Sequence, residues 1–270
     1  MLEAVNVHKT YTVRGHNGSQ NIVHAVNGVD LSLKKGELCA LVGESGSGKS
    51  TLSQLLMGLI PPTSGEVLLD GKSIVPKGRR RDKNLCSKLQ IVLQDGKSAL
   101  DPHYTVYQSI AEPIRNLMKL SRDEEKRRVL AWMEQMELPK YFLKRRPQEL
   151  SGGQQKRVCI ARALAVEPSI VIFDEAVSGL DVLVRKNILD LLKQLHRRHN
   201  TTYLFITHDI DVALYLANRI FVMKAGKIVE QVQYSGVIGI FTHPYSRMLL
   251  RSMVPDTSNT QNGYTRREAR

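Results

Sequence analysis

The sequence predicts an α/β fold built on a buried central sheet, and three stretches carry that prediction. The run Leu38-Cys-Ala-Leu-Val42 is short, apolar and stops at a glycine, the pattern of a buried strand feeding a tight loop. The adjoining loop fits G-x-x-x-x-G-K-[ST] at Gly43, Gly48, Lys49 and Ser50. A second apolar run, Ile170 to Phe173, ends in Asp174-Glu175, which places two carboxylates at the strand edge where open α/β sheets bind ligands.

Each part of the loop has a chemical reason. Phosphate oxygens need several N–H donors converging at close range, and Gly43, Gly46 and Gly48 give the backbone the dihedrals and the approach that such a nest demands. Residues Thr51 to Leu59 carry Leu52, Leu55, Leu56 and Leu59 at helical spacing, so the loop opens onto a helix N-terminus whose unpaired N–H groups and dipole favour anions. Lys49 is expected to reach the β and γ phosphates, and the Ser50 hydroxyl to ligate Mg²⁺. A Gly/Ser loop with no ligand is disfavoured, because strand, loop and helix fall in the order the chemistry requires. At the second strand end, Asp174 suits a Mg²⁺ role through a bound water, and Glu175 suits polarising the water that attacks the γ-phosphate.

The remaining elements come in order along the chain. Residues 2 to about 35 alternate enough, at Leu2 to Val7 and Val29 to Leu33, to be edge strands, and Val67 to Leu69 continues that antiparallel layer through a turn at Asp70-Gly71. Leu89 to Leu93 reads as a core strand; from Asp95 to Gln148 the pattern is largely helical, with a capping box at Ser121-x-x-Glu124 before Val129, Leu130, Met133 and Met136. Ser151 is a good N-cap for a helix over 154–165, where Gly152 and Gly153 expose N–H groups as a second anion site; an ordinary capped helix is the bland alternative. A helix over 182–199 carries an apolar stripe of Val184, Ile188, Leu191, Leu192 and Leu195. Tyr203 to Ile206 is another buried strand, Arg219 to Met223 and Lys227 to Gln231 form a late hairpin through Ala225-Gly226, and the stretch after Pro255 looks disordered.

Bulk properties bound the function. A chain of 270 residues can bury a sizeable core, no run reaches the length of a bilayer span, and Met1 to Val5 lacks a signal-peptide plan, so a cytoplasmic protein is expected. Cys39, Cys86 and Cys159 are few and widely spaced, without a zinc or disulfide framework. The net charge of +13 gathers at Lys77 to Lys83, Arg122 to Arg128, Lys140 to Arg146 and Arg266 to Arg270. Such excess suits nucleic acid or an anionic membrane surface, and each cluster singly also suits a solvated helix face. His196 and His199 stand at a spacing that metals use. Beside Arg197 and Arg198 at a helix C-terminus, cations already have a reason in the dipole.

The segment Leu150-Ser-Gly-Gly-Gln154 resembles the signature of ABC-type ATPases, and neighbouring elements arrive in that family's order. Tyr11 stands where the family places an aromatic on adenine, Gln94 where it places its Q-loop glutamine, Ser178-Gly-Leu-Asp181 as its D-loop and His208 as its switch histidine. The resemblance spans roughly residues 2 to 250. It implies a P-loop NTPase fold: a RecA-like core with an antiparallel β layer at about 1–94 and 166–235, a helical subdomain at about 95–165, and a basic tail at 251–270. It implies ATP and Mg²⁺, with Glu175, His208, Gln94 and Lys49 catalytic and Ser50, Gln94 and Asp174 on the metal. The nucleotide-contacting set is Tyr11, Gly43, Ser45, Gly46, Gly48, Lys49, Ser50 and Thr51, joined by Ser151, Gly153, Gln154 and Asp181. In this family the signature of one copy closes over the P-loop of another, so the latter group is expected to serve a partner's nucleotide in a head-to-tail dimer, the partner being a homologous chain or a second copy of this one.

A separate ATPase without fused membrane helices fits an importer, docked on two membrane permease subunits at the cytoplasmic membrane face and fed by an extracytoplasmic substrate-binding protein. Gln94 to Pro102 and the ending Ile240-Phe-Thr-His-Pro-Tyr-Ser-Arg-Met-Leu-Leu resemble the peptide and nickel uptake group. Arg157 to Pro168 and Asp174 to Ser178 look most like the second ATP-binding subunit of nickel importers. Nickel or a related metal is therefore the expected cargo, with short peptides as the alternative. Gly96, Asp101, His103 and Gly179 depart from the group's usual residues and leave the cargo open. A soluble ABC ATPase acting on nucleic acid is the rival class; it expects a coiled-coil insertion, zinc cysteines or paired ATPase domains, and no nucleic-acid partner is expected here.

Overall fold

The computed structural model describes residues 1–14, 20–75, 82–94 and 99–251. A six-stranded sheet forms the centre. Its strands are β3 (Leu38–Val42), β6 (Leu89–Val92), β7 (Ile170–Asp174), β8 (Thr202–Thr207), β9 (Arg219–Lys224) and β10 (Lys227–Gln233), in the order β10-β9-β3-β8-β7-β6. All neighbours are parallel except the β9-β10 hairpin. The register explains the site: Val42 pairs with Thr207, Ile206 with Asp174, and Phe173 with Val92. The residues just past these strand ends, Gly43, His208, Glu175 and the Gln94 turn, are therefore delivered to one carboxyl edge.

Alternation along β3 divides the core. Cys39 and Leu41 join one apolar cluster while Leu38, Ala40 and Val42 join the other, as the period of a strand buried on both faces requires. Over the first face lies a second sheet of β1 (Leu2–Arg14), β2 (Gln20–Leu33), β4 (Ser64–Leu69) and β5 (Lys72–Ser73), in the order β2-β1-β4-β5. The first strand, read from sequence as an edge, pairs on both sides; backbone pairing of this kind leaves no mark in the side-chain pattern. Between the sheets runs α1 (Lys49–Leu56), which starts two residues earlier than its leucine spacing suggests and releases Leu59 to solvent.

The other face carries the helices. After α2 (Lys83–Lys88) come α3 (Val106–Leu117), α4 (Arg122–Gln135), α5 (Gly152–Leu164) and α6 (Val182–His199). Helix α4 opens on the expected Ser121/Glu124 capping box, and α6 has the expected bounds because Asp181 caps its start and Asn200, in the left-handed region at φ 52°, closes its end. Arg145 stacks on Phe142 and Tyr141, its guanidinium carbon 4.4 and 5.1 Å from their ring centroids, which gives part of one basic cluster a packing role. His196 and His199 face different partners, the Gly36 carbonyl and the Gln135 side chain, and no metal-holding cluster occurs among the described residues. Cys39 is buried and its thiol is pushed up to about 12, chiefly by burial. The chain closes with α7 (Ile210–Leu216) and α8 (Pro244–Arg251). The tail after Pro255, the cluster at 266–270, most of that at 77–83, and Gly96 lie outside the described residues.

Candidate active site

A cleft of about 870 Å³ opens at the carboxyl edge of the central sheet. Its floor is the loop after β3. Two glycines there are set by close backbone approach: a Cβ on Gly48, whose φ is 104°, would stand 2.2 Å from the Ala25 carbonyl oxygen, and one on Gly43 would stand 2.1 Å from that of Met223. Gly48 also occupies the N-cap of α1, and no side chain caps it. The first N–H groups of that helix are thus left for an anion. Ser45, Gly46, Gly48, Lys49, Ser50 and Thr51 all line the cleft.

Lys49 is nearly buried, and its Nζ donates to the carbonyls of Gly43 at 2.7 Å and Glu44 at 2.8 Å. Burial lowers its pKa, while the carboxylates of Glu175, Asp174 and Glu44 pull it back up. Asp174 shifts the other way: burial raises its carboxyl and the Glu175 carboxylate adds to this, while the neighbouring Ser53 hydroxyl and Lys49 oppose. Its Oδ1 is buried without a hydrogen-bond partner. An orphaned acceptor beside a second carboxylate and a serine-tipped phosphate loop is the donor set of a hard, oxygen-ligated dication, so these residues fit Mg²⁺.

Glu175 sits on the cleft wall in the left-handed region, φ 50°, where few non-glycine residues rest without reason. Its amide donates to Ile206 O at 2.8 Å, and its carbonyl accepts from Ser178 Oγ at 2.7 Å. Its Oε1 accepts from the His208 amide at 3.1 Å and lies 2.9 Å from His208 Nδ1. An ionised carboxylate only accepts, so Nδ1 carries the proton and Nε2 is left free to act. Glu175 Oε2, buried, has no partner. Gln94 stands on the same wall, exposed.

Other residues of the expected set do not meet at this cleft. Asp174 and Gly43 lie beneath its lining, and Tyr11 pairs across the sheet with Val23, which does line it, while its own ring rests 5.4 Å from Lys9 Nζ. Ser151, Gly153, Gln154 and Asp181 are absent from the lining. Ser151 caps α5 in a full capping box, accepting from Gln154 N at 3.3 Å while Gln154 Oε1 accepts from Ser151 N at 2.9 Å; the S-x-x-Q spacing carries that signal, beyond the N-cap serine alone. Gly153 has a packing reason, since a Cβ there would stand 2.7 Å from Val184. Gly152 is open on all sides. Asp181 accepts from Val184 N at 2.9 Å as the cap of α6, and Gly179 adopts φ 72°, in the left-handed region that glycine takes without strain.

Sequence reasoning missed several residues. Val23, His24 and Ala25 of β2, the Ala225-Gly226 turn, and Met248 and Leu249 of α8 complete the cleft. Lys156, almost fully buried in α5, donates to the carbonyls of Leu93 at 2.9 Å and Gln94 at 2.6 Å. A lysine in an otherwise apolar helix face was the available signal.

A phosphate loop after the first core strand, a carboxylate pair after another and a histidine after a third define a P-loop NTPase. The profile of the ABC transporter family matches residues 26–178, and the chain belongs to that family. A peptide import ATP-binding protein of Brucella abortus (strain 2308) is 44% identical over 87% of this chain and 71% of its own length. The nickel import ATP-binding protein NikE of Escherichia coli (strain K12) is 40% identical over 91% of each. Among solved structures, the dimeric ATP-binding cassette MJ0796 bound to ADP and Pi superposes with a TM-score of 0.75 at 34% identity, covering 88% of this chain and all of that one. The cbiO1 protein of Clostridium perfringens, part of the ABC transporter complex cbiONQ, does so with a TM-score of 0.75 at 31% identity, covering 94% and 98%. The fold is that of an ABC ATPase, and the chain is a nucleotide-binding ATPase of this family. No described helix is long and apolar enough to cross a membrane.

Proposed function

We propose that the chain hydrolyses ATP to power a bacterial ABC importer whose cargo is nickel or a related transition metal. The observation that carries the catalytic half is Glu175, a residue of the phosphate-loop cleft wall: one carboxylate oxygen is held by His208, and the other is buried just behind that wall with no hydrogen-bond partner. That second oxygen accepts the proton of the attacking water, while His208 fixes its direction and presents Nε2 toward the γ-phosphate. Lys49 trades part of its hold on the Gly43 and Glu44 carbonyls for phosphate oxygens, and the uncapped start of α1 receives the rest of the charge. Ser50, Gln94 and Asp174 would hold Mg²⁺, Asp174 through a water, and the ion would neutralise charge developing on the phosphates. Tyr11 serves the base, and Ser151, Gly153, Gln154 and Asp181 serve the nucleotide of a second ATPase subunit.

Support for the cargo comes from NikE, which this chain matches over nearly the whole of both lengths. The higher identity to the Brucella protein favours peptides as the second reading. In either case the partners are two permeases, a second ATPase chain and an extracytoplasmic binding protein, and the chain works at the cytoplasmic membrane face. Uptake of radioactive Ni²⁺ and of a labelled dipeptide into membrane vesicles holding the neighbouring subunits separates the two. ATP-dependent nickel uptake supports the proposal; dipeptide uptake alone overturns its cargo.

A further inference from the structure

The carboxyl-terminal helix α8 grips the phosphate loop through the Tyr245 hydroxyl. Tyr245 is buried, and its Oη accepts from the Glu44 amide at 3.0 Å. That amide and the Gly43 carbonyl belong to one peptide group, and the carbonyl is the one that Lys49 Nζ holds at 2.7 Å. The peptide plane at the loop's entrance is therefore fixed from both ends, by Lys49 from inside the cleft and by Tyr245 from outside. Tyr245 is itself secured: Glu230 Oε1 accepts from Thr242 N at 2.6 Å and His243 N at 3.0 Å, His243 Nδ1 accepts from Tyr245 N at 3.1 Å, and Lys224 Nζ lies 4.6 Å from the Tyr245 ring. The helix continues over the cleft with Met248 and Leu249.

We infer that Tyr245 is a positioning residue for nucleotide binding: its hydroxyl preorganises the phosphate loop by holding the peptide from which Lys49 hangs. A loop that must select this peptide orientation on its own binds nucleotide more weakly by the fraction of time it spends elsewhere. Once nucleotide is seated the orientation is enforced, so KM rises while kcat holds. The inference rests on the cleft being the nucleotide site.

The test uses the full chain and mant-ATP with Mg²⁺. Tyr245→Phe keeps the ring contacts and removes only the acceptor; binding weakens by about two- to tenfold, the worth of one ordinary hydrogen bond, kcat is unchanged, and hydrogen exchange at the Glu44 amide quickens. In a Glu44→Pro background, which lacks the donor, the same change has no effect on affinity. Unchanged affinity or a kcat loss at constant KM overturns the inference; if turnover is lost, amide exchange at Glu44 decides, and exchange no faster than in the unmodified chain overturns it. Lys49→Ala serves as the separate control. If it still binds mant-ATP, the site reading fails; if it does not and Tyr245→Phe is silent, only this inference fails.

Discussion

Replacing Glu175 by glutamine changes one atom, and the structure says which function that atom carries. Oε1 accepts from two donors on His208, its amide at 3.1 Å and Nδ1 at 2.9 Å. A glutamine carbonyl placed there accepts both, so the loop after β8 stays in place and the left-handed backbone at residue 175 is unaltered. The amide nitrogen then falls at Oε2, where a donor stands in place of the acceptor that the attacking water needs. Removing a positioned general base costs about a hundred- to ten-thousandfold in rate, or about 2.7–5.4 kcal/mol of barrier. We expect Glu175→Gln to bind MgATP, to hydrolyse it slower by that factor in a single-turnover phosphate-release assay, and to accumulate as a nucleotide-bound dimer by light scattering. Turnover within about threefold of the unmodified chain, far above that range, refutes the assignment of Glu175 as base.

Three further outcomes are expected. Ser151→Arg fills the exposed start of α5, so nucleotide binding by the chain's own cleft persists while turnover is lost; loss of mant-ATP binding instead shows that this segment serves its own chain's fold. Lys156→Met leaves the part-buried carbonyls of residues 93 and 94 without their charged donor, at a cost of up to about 1.5–3 kcal/mol for such a bond, read by urea denaturation. Its kcat falls while nucleotide affinity holds, and unchanged stability and kcat refute the role. The Glu125 carboxylate, held by the Arg115 guanidinium at 2.6 and 2.8 Å and by the Tyr107 hydroxyl at 2.7 Å, titrates below the ordinary glutamate range, chiefly through the Arg115 bonds. Its folded pKa lies below its unfolded one, so the stabilisation is complete above the unfolded value and disappears as pH falls through the folded one. The unmodified chain should lose more stability than Glu125→Gln between neutral pH and acid below the ordinary glutamate range, and parallel pH profiles refute the coupling.

Strand-loop-helix order made the phosphate loop legible, and short apolar runs ending at charged residues placed β7 and β8 within a residue. Helix α6 could be bounded by its apolar stripe and the basic run that ends at His199, and the structure adds the caps Asp181 and Asn200 just outside those bounds. What escaped was set by contacts between distant segments. Tyr245 meets Glu44 across 201 residues and Lys156 meets Gln94 across 62; neither pair has a local pattern. The β2 wall of the cleft was unreadable for a related reason, since Val23, His24 and Ala25 look like any exposed strand until the register of two sheets brings them over Gly48. The bond between Glu175 and His208 was half visible: both were placed on one edge, but only the strand register, Asp174 opposite Ile206, brings their loops into hydrogen-bond reach.

One consequence of Lys156 reaches beyond stability. The start of α5 does not line the chain's own cleft, and with Gly152 open and Ser151 exposed it suits the proposed role of receiving a second subunit's nucleotide. A few residues along the same helix, Lys156 holds the backbone of Gln94, which does line the cleft. A helix transmits axial displacement with little loss because its own hydrogen bonds set its length. A partner's phosphate seated at Ser151 therefore acts on the Gln94 backbone through one rigid element and two hydrogen bonds, with no change of fold needed between them. On the proposal that a partner's nucleotide seats there, the cleft of one chain senses occupancy of the other, so turnover should rise more steeply than hyperbolically with ATP concentration, and Lys156→Met should disconnect the two, leaving hydrolysis at low rate in each cleft with a hyperbolic dependence. A variant that keeps the steepness shows that the coupling travels elsewhere.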